Sequence, residues 1–376
     1  MQRLLEEIFQ DLHRHPEIAK EEFRTTAIIK EKLKDLQIRD LHAPIPTGVI
    51  AEIGNENGHV IALRADIDAL PIQEATGLAY ASEEKKKMHA CGHDFHTTAI
   101  LGACMLLKER EEKLQGKIRI LFQPGEEINY GALAIMETGM VEDVEEFYGI
   151  HTDPTLEAGV LGIREGSIMA SPDRFKITIH GKSGHGAQPH TCIDPVPCMA
   201  SMILSLQQIV SRRLSPFSSG VLSVTHVNAG NTWNVIPEKV EMEGTIRTMC
   251  DDDRDLGEKM FRQVAESTAR SYDCSVDIEY IRQSRPLINS KDQTSFADMI
   301  ARKMGIPVVE QEPSMIGEDF AEYLKNRPGC FIRVGTGIGP ALHHPEFHAD
   351  PSVLEQTAKY LAKLAEERLV TMKQIG

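Results

Sequence analysis

The rhythm of strands and helices changes twice along this chain, and the change limits the folds open to it. From residue 172 to about 284 the order is strand, helix, strand, strand, helix, strand. Phe175, Ile177 and Ile179 alternate with Lys176, Thr178 and His180, the period of a half-exposed strand. Asp194-Pro195 opens a helix to about Arg213, with Asp as N-cap and Pro in the first turn. Residues 221–227 and 240–248 read as two strands. Residues 254–272 read as a helix, with Leu256, Met260, Phe261, Val264 and Thr268 on one face. Val276, Ile278 and Tyr280 alternate as a last strand. This β-α-β-β-α-β order predicts a ferredoxin-like α+β layout, with helices on one face of a four-stranded sheet and the other face free for a partner.

The flanking sequence has a different style. Leu4, Leu5, Ile8, Phe9 and Leu12 recur at helical spacing up to His15-Pro16, and a second helical pattern covers 25–36. Short apolar strands at 48–53, 60–65, 118–122 and 147–150 alternate with helices at 97–108 and 131–140. After the insertion come a helix at 294–304, a strand at 331–334 and a final helix from Asp350-Pro351 to about Leu369. Short apolar strands between helices predict an α/β sheet covered on both faces. The simplest architecture is an α/β domain formed by 1–171 and 285–376, interrupted by a smaller domain at 172–284. A length of 376 residues suits two domains.

Composition excludes several classes. Lys and Arg number 41 against 56 Asp and Glu, a formal charge of −15, and there is one Trp. An anionic membrane surface or a nucleic-acid backbone is therefore disfavoured as partner. No apolar run approaches the roughly 18 residues that span a bilayer. The first residues lack a basic stretch followed by an apolar one, and the seven cysteines include no CxxC. The expectation is a cytoplasmic protein with free thiols.

Four windows carry chemistry. Met88-His-Ala-Cys-Gly-His-Asp-Phe-His96 places His89, Cys91, His93, Asp94 and His96 within eight residues. A thiolate and an imidazole two residues apart, with glycine between them to permit a tight turn, can converge on one ion or on two neighbours. A polar loop capping a helix accounts for Asp94 but not for the Cys and His. Phe122-Gln-Pro-Gly-Glu-Glu127 places two adjacent carboxylates after a strand, where α/β sheets gather their ligands. One can bind a cation and leave its neighbour for proton transfer. An exposed acidic turn is the bland reading. His151 follows the run 147–150, and Ala341-Leu-His-His-Pro-Glu-Phe-His348 also follows a strand. Four strand-end loops thus each offer a metal-type ligand, enough for two divalent ions sharing a water, the equipment of an amide hydrolase.

Within the insertion, Gly181-Lys-Ser-Gly-His-Gly-Ala-Gln-Pro-His190 offers His185 or His190 as a donor to an oxyanion. Asn234 and Arg247 are candidates for holding a substrate carboxylate, Arg247 through its planar fork. Asp66 and Asp68, two residues apart after a strand, read as groups that orient ligands or shape the turn. Glu318 of Gly317-Glu-Asp-Phe320 reads as a cap or a reserve ligand.

The ordered set His-Ala-Cys-Gly-His-Asp, Gln-Pro-Gly-Glu-Glu, Gly-His-Gly-Ala, Asn-Val-Ile-Pro, Gly-Thr-Ile-Arg-Thr, Gly-Glu-Asp-Phe and Leu-His-His-Pro resembles the aminoacylase and carboxypeptidase G type of di-metal amidohydrolase. The nearest branch is that of hippurate hydrolase, the plant indole-acetyl-amino-acid hydrolases and bacterial N-acetyl-amino-acid deacetylases. The likeness runs from Asp11-Leu-His-Arg-His-Pro-Glu to the last helix. It implies a zinc-peptidase-like catalytic domain with an inserted lid and dimerisation domain. It implies that Cys91, His93, Glu127, His151 and His343 bind two divalent ions with the Cys91 thiolate bridging, His343 rather than His344 being chosen by the Leu-His-x-Pro pattern. It further implies that Glu126 is the general base and that His185 serves the site of a partner in a homodimer. Gly125 departs from the alanine usual in relatives.

The expected activity is hydrolysis of an N-acyl amino acid, with a small N-acetylated one such as N-acetylcysteine as first choice. N-acetyldiaminopimelate deacetylation is the rival enzyme reading. A metal- or amino-acid-binding module without catalysis is the rival of another class, and an uncoordinated Glu126 beside Glu127 argues against it. Manganese or zinc suits the donors best, with cobalt or nickel also admitted.

Overall fold

The computed structural model describes residues 1–54 and 58–375. In chain order the helices are α1 (Gln2–Arg14), α2 (Phe23–Asp35), α3 (His93–Lys108), α4 (Gly131–Glu137), α5 (Pro195–Leu206), α6 (Asp251–Ser271), α7 (Lys291–Lys303) and α8 (Leu354–Ile375). The principal strands are β1 (Arg39–Asp40), β2 (Val49–Gly54), β3 (His59–Asp66), β4 (Gly116–Gln123), β5 (Glu146–Asp153), β6 (Leu161–Ile163), β7 (Ser171–His180), β8 (Gly220–Ala229), β9 (Lys239–Thr248), β10 (Ser275–Ile281), β11 (Val308–Glu310) and β12 (Gly329–Gly335). They fall into two compact units. One comprises residues 1–166, 288–312 and 322–376; the other comprises 167–287 and 313–321.

The first unit is a mixed α/β structure on an eight-stranded sheet ordered β1-β2-β4-β3-β5-β12-β6-β11. Its centre, β4-β3-β5-β12, is parallel. Every residue of β5 from Glu146 to Thr152 and every residue of β12 is buried. Strands buried on both faces need continuous apolar runs, which is why these segments lack alternation. The two edge regions include short strands, β1, β6 and β11, whose two or three residues give no periodicity to read. Leu5, Ile8, Phe9 and Leu12 of α1 are buried, as helical spacing predicts.

The second unit holds a four-stranded antiparallel sheet ordered β8-β9-β7-β10. Phe175, Ile177 and Ile179 pack with Met202 and Leu206 of α5, Met260 and Phe261 of α6, and Met242 and Ile246 of β9. Asp194 caps α5, its carboxylate accepting from Val196 N at 3.0 Å. The opposite face is charged rather than apolar. It pairs Arg174 with Glu243 at 2.7 Å and His180 with Asp277 at 2.8 Å. The most exposed large apolar groups of this unit among the described residues are Leu204, Phe217 and Trp233.

The stretch 313–321, assigned from sequence to the first domain, packs in the second unit. Ser314 bridges to Met169, and the Met315 carbonyl accepts from Arg247 Nη1 at 2.6 Å. These are pairings distant in sequence that periodicity does not encode. Among the described residues no helix is long and apolar enough to cross a membrane. The seven cysteines are free thiols.

Candidate metal centre

The four central parallel strands of the first unit end side by side, and the loops beyond their carboxyl ends bring the candidate residues together. Cys91 and His93 flank Gly92 at the start of α3. Gly92 has φ of 81°, and a Cβ there would lie 2.5 Å from Thr152 Oγ1, so only glycine fits between the two donors. Glu126 and Glu127 form a 3₁₀ turn after β4. Gly125 caps that turn with φ of 65°, a left-handed geometry that glycine adopts without strain. Asp68 pins the turn by accepting from Glu126 N at 3.1 Å and Glu127 N at 3.0 Å. His151 belongs to β5. His343 is tied to the Cys91 loop, its N–H donating to the Ala90 carbonyl at 2.8 Å.

Two sets of three donors result, and they share one atom. In one, Cys91, His93 and His151 place their ligand atoms within 4.8 Å of one another; in the other, Cys91, Glu127 and His343 do so. Cys91 Sγ lies 3.4 Å from His151 Nε2. Glu127 Oε1 lies 3.3 Å from His343 Nε2 and 3.9 Å from His93 Nε2. Glu126 falls in a third set with His93 and Glu127 and is buried beside both.

These residues fit a pair of divalent ions. Both ring nitrogens of fully buried His93 lack a well-formed hydrogen bond and face carboxylates, Asp68 Oδ1 at 3.3 Å from Nδ1 and Asp66 Oδ2 at 3.5 Å from Nε2, an anionic surrounding that cation binding relieves. The sulfur, nitrogen and oxygen donors suit borderline transition ions. The electrostatics point the same way. Burial lowers His93, but the Asp66 carboxylate and Asp68 more than offset it and hold the imidazole well above its ordinary value. The Cys91 thiol and the Glu127 carboxylate raise His343 to about 10. Burial pushes the Cys91 thiol up. Burial and the Arg333 guanidinium keep His151 well below its usual value, neutral and ready to coordinate.

The family model for Peptidase family M20/M25/M40 matches residues 62–367. The chain belongs to this family. It is 44% identical over 366 residues to N-acetylcysteine deacetylase of Bacillus subtilis (strain 168), covering 97% of this chain and 96% of that one. It is 38% identical over 370 residues to IAA-amino acid hydrolase ILR1-like 5 of Arabidopsis thaliana, covering 96% and 85%. Among solved structures, the Bacillus subtilis YXEP protein, a dinuclear metal binding peptidase from the M20 family, superposes with a TM-score of 0.89 at 41% identity over 98% of each chain. This M20 chain is accordingly a hydrolase of amide bonds.

The other residues of the Cys-His window have different tasks in this M20 chain. His96 donates from Nδ1 to Asp66 at 2.5 Å and accepts at Nε2 from Thr152 N at 2.8 Å, so neither nitrogen is left for an ion. His344 accepts at Nδ1 from Glu346 N at 3.2 Å, within its own loop. His89 is buried with neither ring nitrogen partnered, and burial pulls it down to about 4. Asp94 is not the helix cap; Gly92 is. Its carboxylate instead accepts from His13 Nδ1 at 2.6 Å, while His13 Nε2 lies 3.3 Å from Glu74.

His13 lies in the Asp11-Leu-His-Arg-His-Pro-Glu stretch of the resemblance, but sequence reasoning gives it no role because its partners are distant in the chain. Burial lowers it, but Asp94 and Glu74 outweigh that and raise it to about 9. It is an imidazolium clamped between two carboxylates, and all three side chains are 1–2% exposed. Removing it strands both charges, which costs about 3–5 kcal/mol. His13→Ala is expected to unfold at markedly lower denaturant concentration near pH 6. The raised pKa fixes the pH sense. The contribution is complete below the unfolded value of about 6.5 and fades as pH climbs through 9, so the gap between parent and variant narrows from pH 6 to 10. A gap constant with pH would show that the clamp carries no charge.

In the second unit, Gly184–His185 pairs with Val235–Ile236, and Gly186 N donates to the Asn234 carbonyl at 2.8 Å, so His185 and Asn234 come together. His185 accepts at Nδ1 from Ala187 N at 3.1 Å, which leaves an exposed Nε2–H as donor. Arg247 is not with them. Lys239, at the start of β9, pairs with His180 just before the His185 loop, whereas Arg247 pairs with Pro172. Eight residues of strand, about 27 Å, separate the two ends.

Proposed function

We propose that this chain hydrolyses N-acyl amino acids, N-acetyl amino acids with small side chains foremost, to a carboxylic acid and the free amino acid. The observation that carries the reading is the sharing of Cys91 Sγ by two donor sets with a buried second carboxylate, Glu126, beside them. Relatives with deacetylase and amino-acid hydrolase names support the acyl amino acid as substrate.

Cys91, His93, Glu127, His151 and His343 would hold two divalent ions, manganese or zinc, with Cys91 common to both. Bound there, the ions supply positive charge that acidifies water and polarises an amide carbonyl. Glu126 takes a proton from water as its oxygen attacks the acyl carbon. It then delivers that proton to the amide nitrogen as the C–N bond breaks. The turn that carries Glu126 is held by Asp68, which fixes the direction of transfer.

We assign the second unit as a ferredoxin-like lid, residues 172–284 by sequence, through which two copies of the chain form a homodimer. Strand β8 lies at a sheet edge and carries neither Lys nor Pro to block pairing, and Leu204, Phe217 and Trp233 are exposed in the same unit. His185 Nε2–H donates to the oxyanion, and Arg247, with Asn234 as the other candidate, holds the substrate carboxylate. Arg247 lies at the opposite strand end from His185 and Asn234, so a single second unit cannot bring all three to one substrate. This separation supports the reading that His185 serves the site of a partner copy.

The test is a panel of N-acetylcysteine, N-acetylmethionine, hippurate, an indole-acetyl amino acid and N-acetyldiaminopimelate, each with manganese, zinc, cobalt or nickel added. Primary amine release is the readout. Fastest release from a small N-acetyl amino acid is the expected result. Preference for N-acetyldiaminopimelate would move the chain to the rival deacetylase, and no release from any loaded sample would leave only a binding module.

A further inference from the structure

We infer that His96 and Thr152 form a positioning device that aims His151 and the Cys91 loop, an inference that rests on the two-ion reading above. Thr152, fully buried, is the hub. Its carbonyl accepts from His151 Nδ1 at 2.8 Å, which places the proton on Nδ1 and turns the Nε2 lone pair toward Cys91 Sγ. Its hydroxyl donates to the Cys91 carbonyl at 2.9 Å. Its N–H donates to His96 Nε2 at 2.8 Å. One residue thus holds two of the donors in the first set.

What holds Thr152 is the tautomer of His96. Nε2 can accept only if Nδ1 carries the proton, and Asp66 Oδ1 accepts that proton at 2.5 Å. The other carboxylate oxygen of Asp66 accepts from Arg64 Nη1 at 2.8 Å, and Arg64 Nε donates to Gln123 Oε1 at 2.9 Å. The series Arg64, Asp66, His96, Thr152, His151 is buried throughout. At each of these links a donor faces an acceptor, which fixes its direction, and Arg333 Nη1 also donates to the Thr152 carbonyl, at 3.4 Å. His96 therefore reads as a positioning residue, not a ligand.

Two amides that differ by one methylene separate the possibilities. In His96→Gln the side-chain oxygen reaches the place of Nε2 and accepts from Thr152 N–H. In His96→Asn the amide nitrogen still donates to Asp66, but no acceptor reaches Thr152. Cobalt(II) alone is titrated into metal-free full-length protein, following the sulfur-to-cobalt charge-transfer band and the visible bands. The parent is expected to take up two equivalents. His96→Asn is expected to weaken the equivalent at the Cys91, His93 and His151 set by about 10–100-fold, and the one at the Cys91, Glu127 and His343 set less, because that set shares only Cys91 with the Thr152 hub. His96→Gln is expected to stay within a few-fold of the parent. Equal behaviour of the two variants, whether parent-like or equally weakened, overturns the positioning role, the second outcome making His96 a ligand or a packing element. A parent that takes up no cobalt overturns the two-ion reading and this inference with it.

Discussion

Glu126→Gln is expected to fold normally, bind both ions and lose about 10²–10⁴ in kcat. The substitution keeps size and shape in a site only 9% exposed, and the Asp68 contact to the backbone N–H of residue 126 is untouched. What it removes is the ability to accept a proton from water and return one to the departing nitrogen. KM is expected to change little if Arg247 holds the substrate carboxylate as proposed. The neighbouring Glu127→Gln supplies the contrast. Glu127 Oε1 faces His343 and His93, so its loss is expected to appear first as lost metal and only then as lost activity. Metal content measured beside kcat separates the two failures. A Glu126→Gln protein with both ions and full turnover would end the assignment of Glu126 as the base.

The residues that the structure brings together at this candidate centre are legible in the sequence because their signals are local. Cys91 and His93 sit two residues apart, Glu126 and Glu127 are adjacent, and the apolar runs of β3, β4 and β5 mark where their loops begin. The convergence of these loops follows from a general property of parallel sheets and needed no contact information. What escaped is what depends on pairing across the chain. His13 lies 81 residues from Asp94, and although it continues the buried row of Leu5 and Phe9 in α1, nothing local in the sequence names its partners. His96 looked like another ligand by spacing, yet its partners Asp66 and Thr152 occupy both nitrogens. Thr152 carried no signal, since two of its three contacts use main-chain groups and all three partners are fixed only by the fold. Strands β6 and β11 were too short to show a period, and 313–321 was assigned to the first domain because its contacts with Met169 and Arg247 leave no mark on local pattern. In the second unit, strand alternation located the core face correctly. The open face, by contrast, carries ion pairs, Arg174 with Glu243 and His180 with Asp277, which a strand's alternation of apolar and polar residues does not reveal.

The second large effect is expected at Cys91, whose sulfur belongs to both donor sets. Losing Glu127, His151 or His343 takes one donor from one set, whereas Cys91→Ala takes one from each. Turnover should fall to background and bound metal to well below two ions per chain. The chemistry of the site also ties uptake to pH. Without a cation, burial keeps the Cys91 proton on sulfur, and His93 and His343 both hold their protons above the ordinary imidazole range. A ligand must shed its proton to coordinate, so loading the site displaces protons from as many as three groups. Affinity is therefore expected to rise steeply with pH across the neutral range, and zinc added to weakly buffered protein should acidify the solution. In Cys91→Ala the thiol proton is gone from the count and the pH slope is expected to be shallower by one. Zinc titrations with an indicator dye at pH 6, 7 and 8, run on parent and variant, measure both quantities. Parent and Cys91→Ala proteins with equal metal content and equal proton release would remove the shared thiolate from the mechanism.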